Sequence, residues 1–293
     1  MASPFTLHPD LQKQLTILRK KKNFDAKEWV DKKVKILNDY YTKHNLSGCV
    51  INLSGGVDSS CTAALCKKAS LQPNSPIKRI IGISQPIHST QAHTNRAKET
   101  AEAIGVEFAV CDQSKVHDDL KQILDGALGL KGGTFAQGQL KSYMRTPVAY
   151  YVTQILNEAG VRSTVVGTGN KDEDGYLGYF CKAGDGVVDI QLIGDLHKSE
   201  VFKVSAEVGV PKSVLEAPPS ADLWDGQTDE EELGFSYDFV ELWTCYLKFE
   251  EDEKINFRRS LSPEALQQFE DTGLKAAKIH RANRHKFQLA CNL

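Results

Sequence analysis

The sequence predicts an α/β protein with a doubly wound, mostly parallel sheet flanked by helices. Short apolar runs alternate along the chain with longer segments of helical periodicity. The runs are continuously apolar, as strands covered on both faces must be. Glycine-rich turns stand where two of those runs end.

In chain order, FDAKEWVDKKVKILNDYY places Val30, Val34, Leu37 and Tyr41 at helical spacing, with Asp25 placed to cap the first turn. GCVINL (48–53) reads as the first strand, and a helix starts near Asp58 and continues through CTAALCKKA. RIIGIS (79–84) is a second strand, followed by a helix over TQAHTNRAKETAEAIG that stops at Gly105. VEFAV (106–110) and STVVG (163–167) are further strands. No Pro/Ser-rich linker divides the 293 residues, so one large domain is expected. The runs RKKK (19–22) and DEEE (229–232) are expected to be solvated helix ends.

Composition removes several classes of function. A formal net charge of −2 gives no broad basic footprint for nucleic acid. The cysteines (Cys49, Cys61, Cys66, Cys111, Cys181, Cys245 and Cys291) are scattered, odd in number and without CxxC spacing. That argues against a disulfide framework or a zinc site and for a reducing compartment. The histidines show no metal-ligand spacing either. MASPFTLHPD lacks the apolar core of a signal peptide, and no run approaches a membrane span. A soluble, cytoplasmic protein without membrane or nucleic-acid partners is the expectation.

SGGVDSS (54–60) lies between the first strand and its helix. Glycine lets backbone N–H groups face inward as an anion nest, and the helix that follows adds its positive end. Ser54, Ser59 and Ser60 supply hydroxyls around the same turn. A plain tight turn would need one glycine, but neither three serines nor an aspartate. The stretch is not GxxxxGK[ST], because it is shorter and has no lysine. A second dense block runs over GTGNKDEDGYLGYFCKAGDGVVDIQLIGDLHKSEV (167–201). It opens at the end of STVVG, where ligands gather in parallel sheets, and holds three acids in a row (Asp172, Glu173 and Asp174).

SGGVDSS resembles the SGGxDS loop of the ATP pyrophosphatases, which grip the pyrophosphate released when ATP gives up AMP. The 167–201 block is similar to GTxxxxE, G[YF]FTK and GDGxxD of the ammonia-dependent NAD synthetases. APPSADLWDGQTDEEELGFSYD resembles that family's APTADL…DExxLGxSYD, and RHKFQ resembles its EHKR. The matching segments stretch from about residue 27 to 288. The resemblance implies the adenine-nucleotide alpha-hydrolase-like fold, with a nucleotide-binding core over about 46–225 and a helical segment over about 229–293.

It also implies an activity: ATP-dependent amidation of deamido-NAD by ammonia, giving NAD, AMP and pyrophosphate through an adenylated intermediate. Asn52, Leu53, Ser54, Gly55, Gly56, Val57, Asp58 and Ser59 would hold ATP, together with Gln91, Thr168, Lys198 and Ser220. Asp58 and Glu173 would bind Mg²⁺ and, with Lys198, carry the chemistry. Arg145, Lys182, Asp189, His285 and Lys286 would face the dinucleotide. Family members form homodimers in which both subunits build the dinucleotide site.

The chain departs from the family pattern in places. The stretch between Thr168 and Gly178 is one residue longer than usual, leaving Asp174 as an alternative to Glu173. Cys181 and Ser220 replace threonines, and either Tyr143 or Arg145 stands for a family arginine. Glutamine-using relatives carry an extra amidase domain, so nitrogen is expected as free ammonia or from an external partner. Two other readings are another ATP pyrophosphatase, such as a GMP synthetase core or a tRNA-modifying enzyme, and a nucleotide-binding regulatory module without turnover. A basic, aromatic-studded surface would mark the tRNA enzyme, and loss of Asp58 and the acid cluster would mark the regulator.

Overall fold

The computed structural model describes residues 5–220 and 228–288. Its strands are β1 Gly48–Asn52, β2 Arg79–Ser84, β3 Glu107–Val110, β4 Ser163–Gly167 and β5 Ile190–Gln191. They form one sheet in the order β3-β2-β1-β4-β5, with every pairing parallel. The four predicted strands are present; β5 has only two residues and left no readable pattern. Strand order reverses between β1 and β4, so the connections leaving their carboxyl ends part and open a crevice.

The early helices are α1 Pro9–Lys22, α2 Ala26–Lys43, α3 Val57–Ser70, α4 Gln91–Ile104, α5 Ser114–Leu128 and α6 Thr134–Glu158. After the sheet come α7 Lys198–Glu207, α8 Lys212–Leu215, α9 Asp229–Leu233, α10 Tyr237–Tyr246, α11 Glu251–Arg259 and α12 Pro263–Asn283. The Asp25 side chain accepts from the Glu28 N–H at 2.8 Å, the cap the sequence predicts for α2. Val34 and Leu37 of α2, Leu65 of α3 and Val201 of α7 pack on Ile51 and cover one face of the sheet. Ala149 and Leu156 of α6 cover the other against Val50, Ile83 and Val165.

A second core lies outside the sheet. Leu11 and Leu15 of α1 join Phe239 and Leu242 of α10, Phe257 of α11 and Phe269 of α12. The first helix of the chain therefore packs with the last ones. Both charged runs are helix ends, as the sequence predicts, and Lys20, Lys21, Lys22, Glu231 and Glu232 are exposed, but Arg19 and Asp229 are drawn into contacts that the reading as solvated ends did not foresee. Arg19 donates to Asp238 and to Glu241 at 2.6 Å each, and Lys22 meets the buried Glu200 at 2.5 Å. In the acidic run, Asp229 is buried, Glu230 accepts from the Tyr237 N–H, and Glu232 accepts from the Tyr179 hydroxyl. A charge run reveals a helix end but not what packs against it.

Phe269 is the hub of the second core, with ring centroids 5.3 Å from Trp243, 4.9 Å from Tyr246 and 5.0 Å from Phe257. Phe269→Ala should destabilise the protein by about 3–5 kcal/mol. Urea unfolding checks this, and a loss under about 1 kcal/mol would place the core elsewhere.

Candidate active site

The crevice is built around the turn after β1. Gly55 has φ 85°, and a Cβ there would stand 2.3 Å from the His93 carbonyl oxygen, so only glycine fits. Ser54 Oγ and Ser59 Oγ lie 3.0 Å apart, and the Gly56 N–H donates to Ser54 Oγ at 3.2 Å. Two serines thus brace the loop. Ser60 does not share the task expected of it: its hydroxyl is buried, 3.2 Å from Thr100 Oγ1, and ties α3 to α4.

Asp58 sits in the first turn of α3, and Lys198 opens α7. Lys198 Nζ donates to Asp58 Oδ2 at 2.6 Å and to Glu173 Oε1 at 2.7 Å. The Tyr237 hydroxyl donates to the same Glu173 oxygen at 2.6 Å and lies 3.0 Å from Asp229 Oδ2. Asn170 is the keystone underneath. Its Nδ2 donates to Asp58 Oδ1 at 2.9 Å, and its Oδ1 accepts from the backbone N–H groups of Asp172 and Glu173.

Charge in this cluster is unbalanced among the described residues. Burial pushes the Asp58 carboxyl up, opposed by the Lys198 charge and aided by Glu173. Burial also opposes ionisation of Glu173, but the Lys198 charge and the bonds from Lys198 and Tyr237 hold it below its usual range. Asp229 is pushed up to about 7 by burial and the Glu173 charge, and its Oδ1 is buried with no hydrogen-bond partner. Lys198 is held charged against burial by Asp58, Glu173 and Asp229. Three acids thus share one lysine, and hard carboxylate oxygens are the donors Mg²⁺ takes.

Between Thr168 and Gly178 the chain forms a single π-turn, Glu173–Leu177. That turn directs Glu173 toward Lys198. Asp174 also lines the cavity but is 3.4 Å from Gln191 Nε2, and burial with the charges of Glu173, Asp185 and Asp58 raises it well above the usual range.

Asn52, Leu53, Ser54, Gly55, Gly56, Val57, Asp58, Ser59, Thr168, Lys198 and Ser220 all line one cavity with Glu173, as does Arg145. Tyr143 is exposed and hydrogen-bonds Gln139, so Arg145 is the residue that reaches the cavity. Gln91 lies on an adjacent groove and bonds Asn95. Lys182 donates to the His285 carbonyl oxygen at 2.9 Å, and Lys286 donates to that of Gly178 at 2.8 Å, latching the C-terminal turn onto the 178–182 loop. Asp189 accepts from the Val165 N–H and the Tyr150 hydroxyl, beside the sheet rather than in the cavity. Residues 221–227, within the APPSADLWDGQTD stretch, lie outside the described residues.

The sequence alone did not single out Asn170, Gln85, Arg96, Asp229 or Tyr237. The Gln85 side chain bonds Asn52 and the Arg145 carbonyl oxygen, and Arg96 Nε donates to the Gly55 carbonyl oxygen at 3.2 Å. Asn170 stands inside GTGNKDED, and Asp229 and Tyr237 stand inside DEEELGFSYD, so the available signal was motif membership without a role. Cys181 is buried, with its thiol donating to Gln139 Oε1 at 3.0 Å, and burial raises its pKa.

Fold and site together define a doubly wound α/β protein with a polar, acid-lined cavity at the carboxyl ends of its strands, where proteins of this class bind ligands. The sequence profile of NAD synthase matches residues 29–290. The NH(3)-dependent NAD(+) synthetase of Methanocaldococcus jannaschii is 36% identical over 245 residues, covering 82% of this chain and 88% of that protein. That of Methanococcoides burtonii is 39% identical over 200 residues, covering 67% and 70%. The structure of NMN synthetase from Francisella tularensis superposes with a TM-score of 0.74 at 28% identity, covering 92% of this chain and 99% of that one. The chain belongs to the NAD synthase family.

Two outcomes follow from the titration of this site. Between the ordinary carboxyl value of 3.8 and about 7, folded Asp229 keeps a proton that the unfolded chain releases, so its contribution to stability falls as pH rises through that window. In chelator-containing buffer, Asp229→Asn should gain on wild type across the window and hold a constant advantage above it. A stability difference independent of pH would show that Asp229 is ionised throughout. Cys181→Ser should keep activity within about tenfold, because a buried thiol with a raised pKa is a poor nucleophile; a thousandfold loss in a kinetic assay would restore a covalent role.

Proposed function

We infer that this chain amidates deamido-NAD with ammonia, converting ATP to AMP and pyrophosphate and releasing NAD. The observation that carries the reading is the convergence of Asp58 and Glu173 on Lys198 at the mouth of the Gly-Gly turn. Ammonia cannot displace oxide from a carboxylate at a useful rate. Transfer of AMP to the nicotinate carboxylate creates a mixed anhydride, and ammonia then expels AMP. No enzyme nucleophile is needed, so the protein's work is positioning and charge neutralisation.

In this reading the turn's N–H groups, the serine hydroxyls and the positive end of α3 hold the triphosphate. Lys198 neutralises charge on the phosphates, and Asp58 and Glu173 hold Mg²⁺. The orphaned Asp229 oxygen and the surplus of carboxylates fit a bound cation. When bound, the ion supplies charge neutralisation at the phosphates. Arg145, with the latched segment of Lys182, His285 and Lys286, faces the nucleotide being amidated, and Asp189, just before β5, supports that side through Val165 of β4.

A second reading of the acceptor is nicotinate mononucleotide, favoured by the likeness to the Francisella tularensis protein, which is named an NMN synthetase. Both acceptors present the same carboxylate.

We also propose a homodimer. Ile123 and Leu128 of α5, Leu130, and Phe135 and Tyr151 of α6 are all exposed. A run of large apolar side chains along neighbouring helices fits a surface covered by a second copy. Free buried thiols at Cys49, Cys61 and Cys66 suit the reducing cytoplasm. Among the described residues, no helix is long and apolar enough to cross a membrane.

The purified chain, given ATP, Mg²⁺ and ammonium, should turn over deamido-NAD to NAD with AMP and pyrophosphate, and glutamine should not replace ammonium. Asp58→Asn should lower the rate at least about a hundredfold. ADP and phosphate as products would overturn the mechanism, and faster turnover of nicotinate mononucleotide would select the second acceptor. Phe135→Glu combined with Tyr151→Glu should yield a monomer by light scattering; an unchanged dimer would move the interface elsewhere.

A further inference from the structure

We propose that His88, His117 and Asp118 form a binding site for a divalent transition ion of the Zn²⁺ type, separate from the cluster around Lys198. His88 follows β2, whereas His117 and Asp118 lie near the start of α5. The fold brings their donor atoms within 4.8 Å of one another. His88 Nε2 lies 2.9 Å from Asp118 Oδ1, and His117 Nδ1 lies 3.1 Å from the same oxygen. A tetrahedral ion with bonds of about 2.0–2.1 Å separates its ligand atoms by roughly 3.3–3.4 Å. The two nitrogen-to-Asp118 distances need to open by only a few tenths of an ångström to seat one, with the two rings, whose ligand atoms lie within 4.8 Å, adjusting around it.

The donors are preorganised. The His117 ring is buried, and its Nε2 has no hydrogen-bond partner. Its other nitrogen is directed at Asp118. His88 adopts φ 52°, uncommon for a non-glycine residue, and its N–H donates to Ser114 Oγ at 2.9 Å. That strained conformation turns its ring toward Asp118, edge-on to His117 with centroids 5.9 Å apart. Asp118 Oδ1 is the oxygen that both rings address, and an aspartate supplies an anionic ligand at neutral pH.

Two imidazoles and one carboxylate select Zn²⁺ over Mg²⁺, which prefers oxygen donors. Half-exposed His88 and Asp118 leave a fourth position open to water. The ion would brace the loop between β2 and α4 to α5. Pro86, Ser89 and Thr94 of that region line both the main cavity and the neighbouring groove, so the brace would stiffen one wall of the nucleotide site.

The test is equilibrium dialysis of the full chain against Zn²⁺ alone, with Co²⁺ absorption as a second probe of imidazole coordination. Wild type and Asp58→Asn should retain a micromolar equivalent and a ligand-field band. His88→Ala and Asp118→Asn, both at exposed positions, should lose that equivalent or bind it at least about tenfold more weakly. Zn²⁺ should raise the melting temperature of wild type but not of those two variants. An equivalent that survives His88→Ala, or a wild type without one at micromolar Zn²⁺, would overturn the site.

Discussion

Lys198 carries its ammonium to a nearly solvent-free position between the Asp58 and Glu173 carboxylates, 2.6 and 2.7 Å away. Moving three charges out of water costs several kcal/mol per ion unless geometry and further hydrogen bonds compensate. Here they do so in part. Asn170 satisfies Asp58 from below, Tyr237 adds a second donor on Glu173, and the lysine is held charged against its burial. The surplus of acid is left for ligands to balance.

The rest of the site exists to keep that triad in register. Asp172 accepts from the Lys198 N–H at 2.8 Å at the start of α7 and from His197 Nδ1 at 2.7 Å. A carboxylate there satisfies an orphan helix donor and meets the positive end of the helix. His197 Nε2 in turn faces Lys171 Nζ at 2.8 Å, which fixes the imidazole proton on Nδ1 when the lysine donates. A chain of buried polar contacts thus runs from Lys171 to the backbone of Lys198, and removing one member would strand the others.

The second core is part of the chemistry as well as the packing. Tyr237 opens α10 and Asp229 opens α9, and both reach Glu173 or its partners from the helical side. Arg19 ties α1 to α10 beside them. The aromatic cluster around Phe269 therefore stabilises the elements that close the charged cluster from outside the sheet.

The sequence by itself determined the parallel sheet, the strand ends at which ligands collect, the Gly-Gly turn with its aspartate, and the acids and lysines of the 167–201 block. Those features are local: a buried parallel strand is continuously apolar, and a turn at φ 85° against a carbonyl oxygen admits only glycine. Tertiary structure alone decided which partners meet. It placed Arg145 rather than Tyr143 at the cavity, turned Glu173 toward Lys198 through a π-turn, and drew Asp229 out of a run that reads as solvated. It also brought His88 beside His117 and Asp118, although no spacing in the chain marks a metal site. Periodicity and turn chemistry act over a few residues, whereas charge pairing and ligand geometry depend on which faces the packed core brings together.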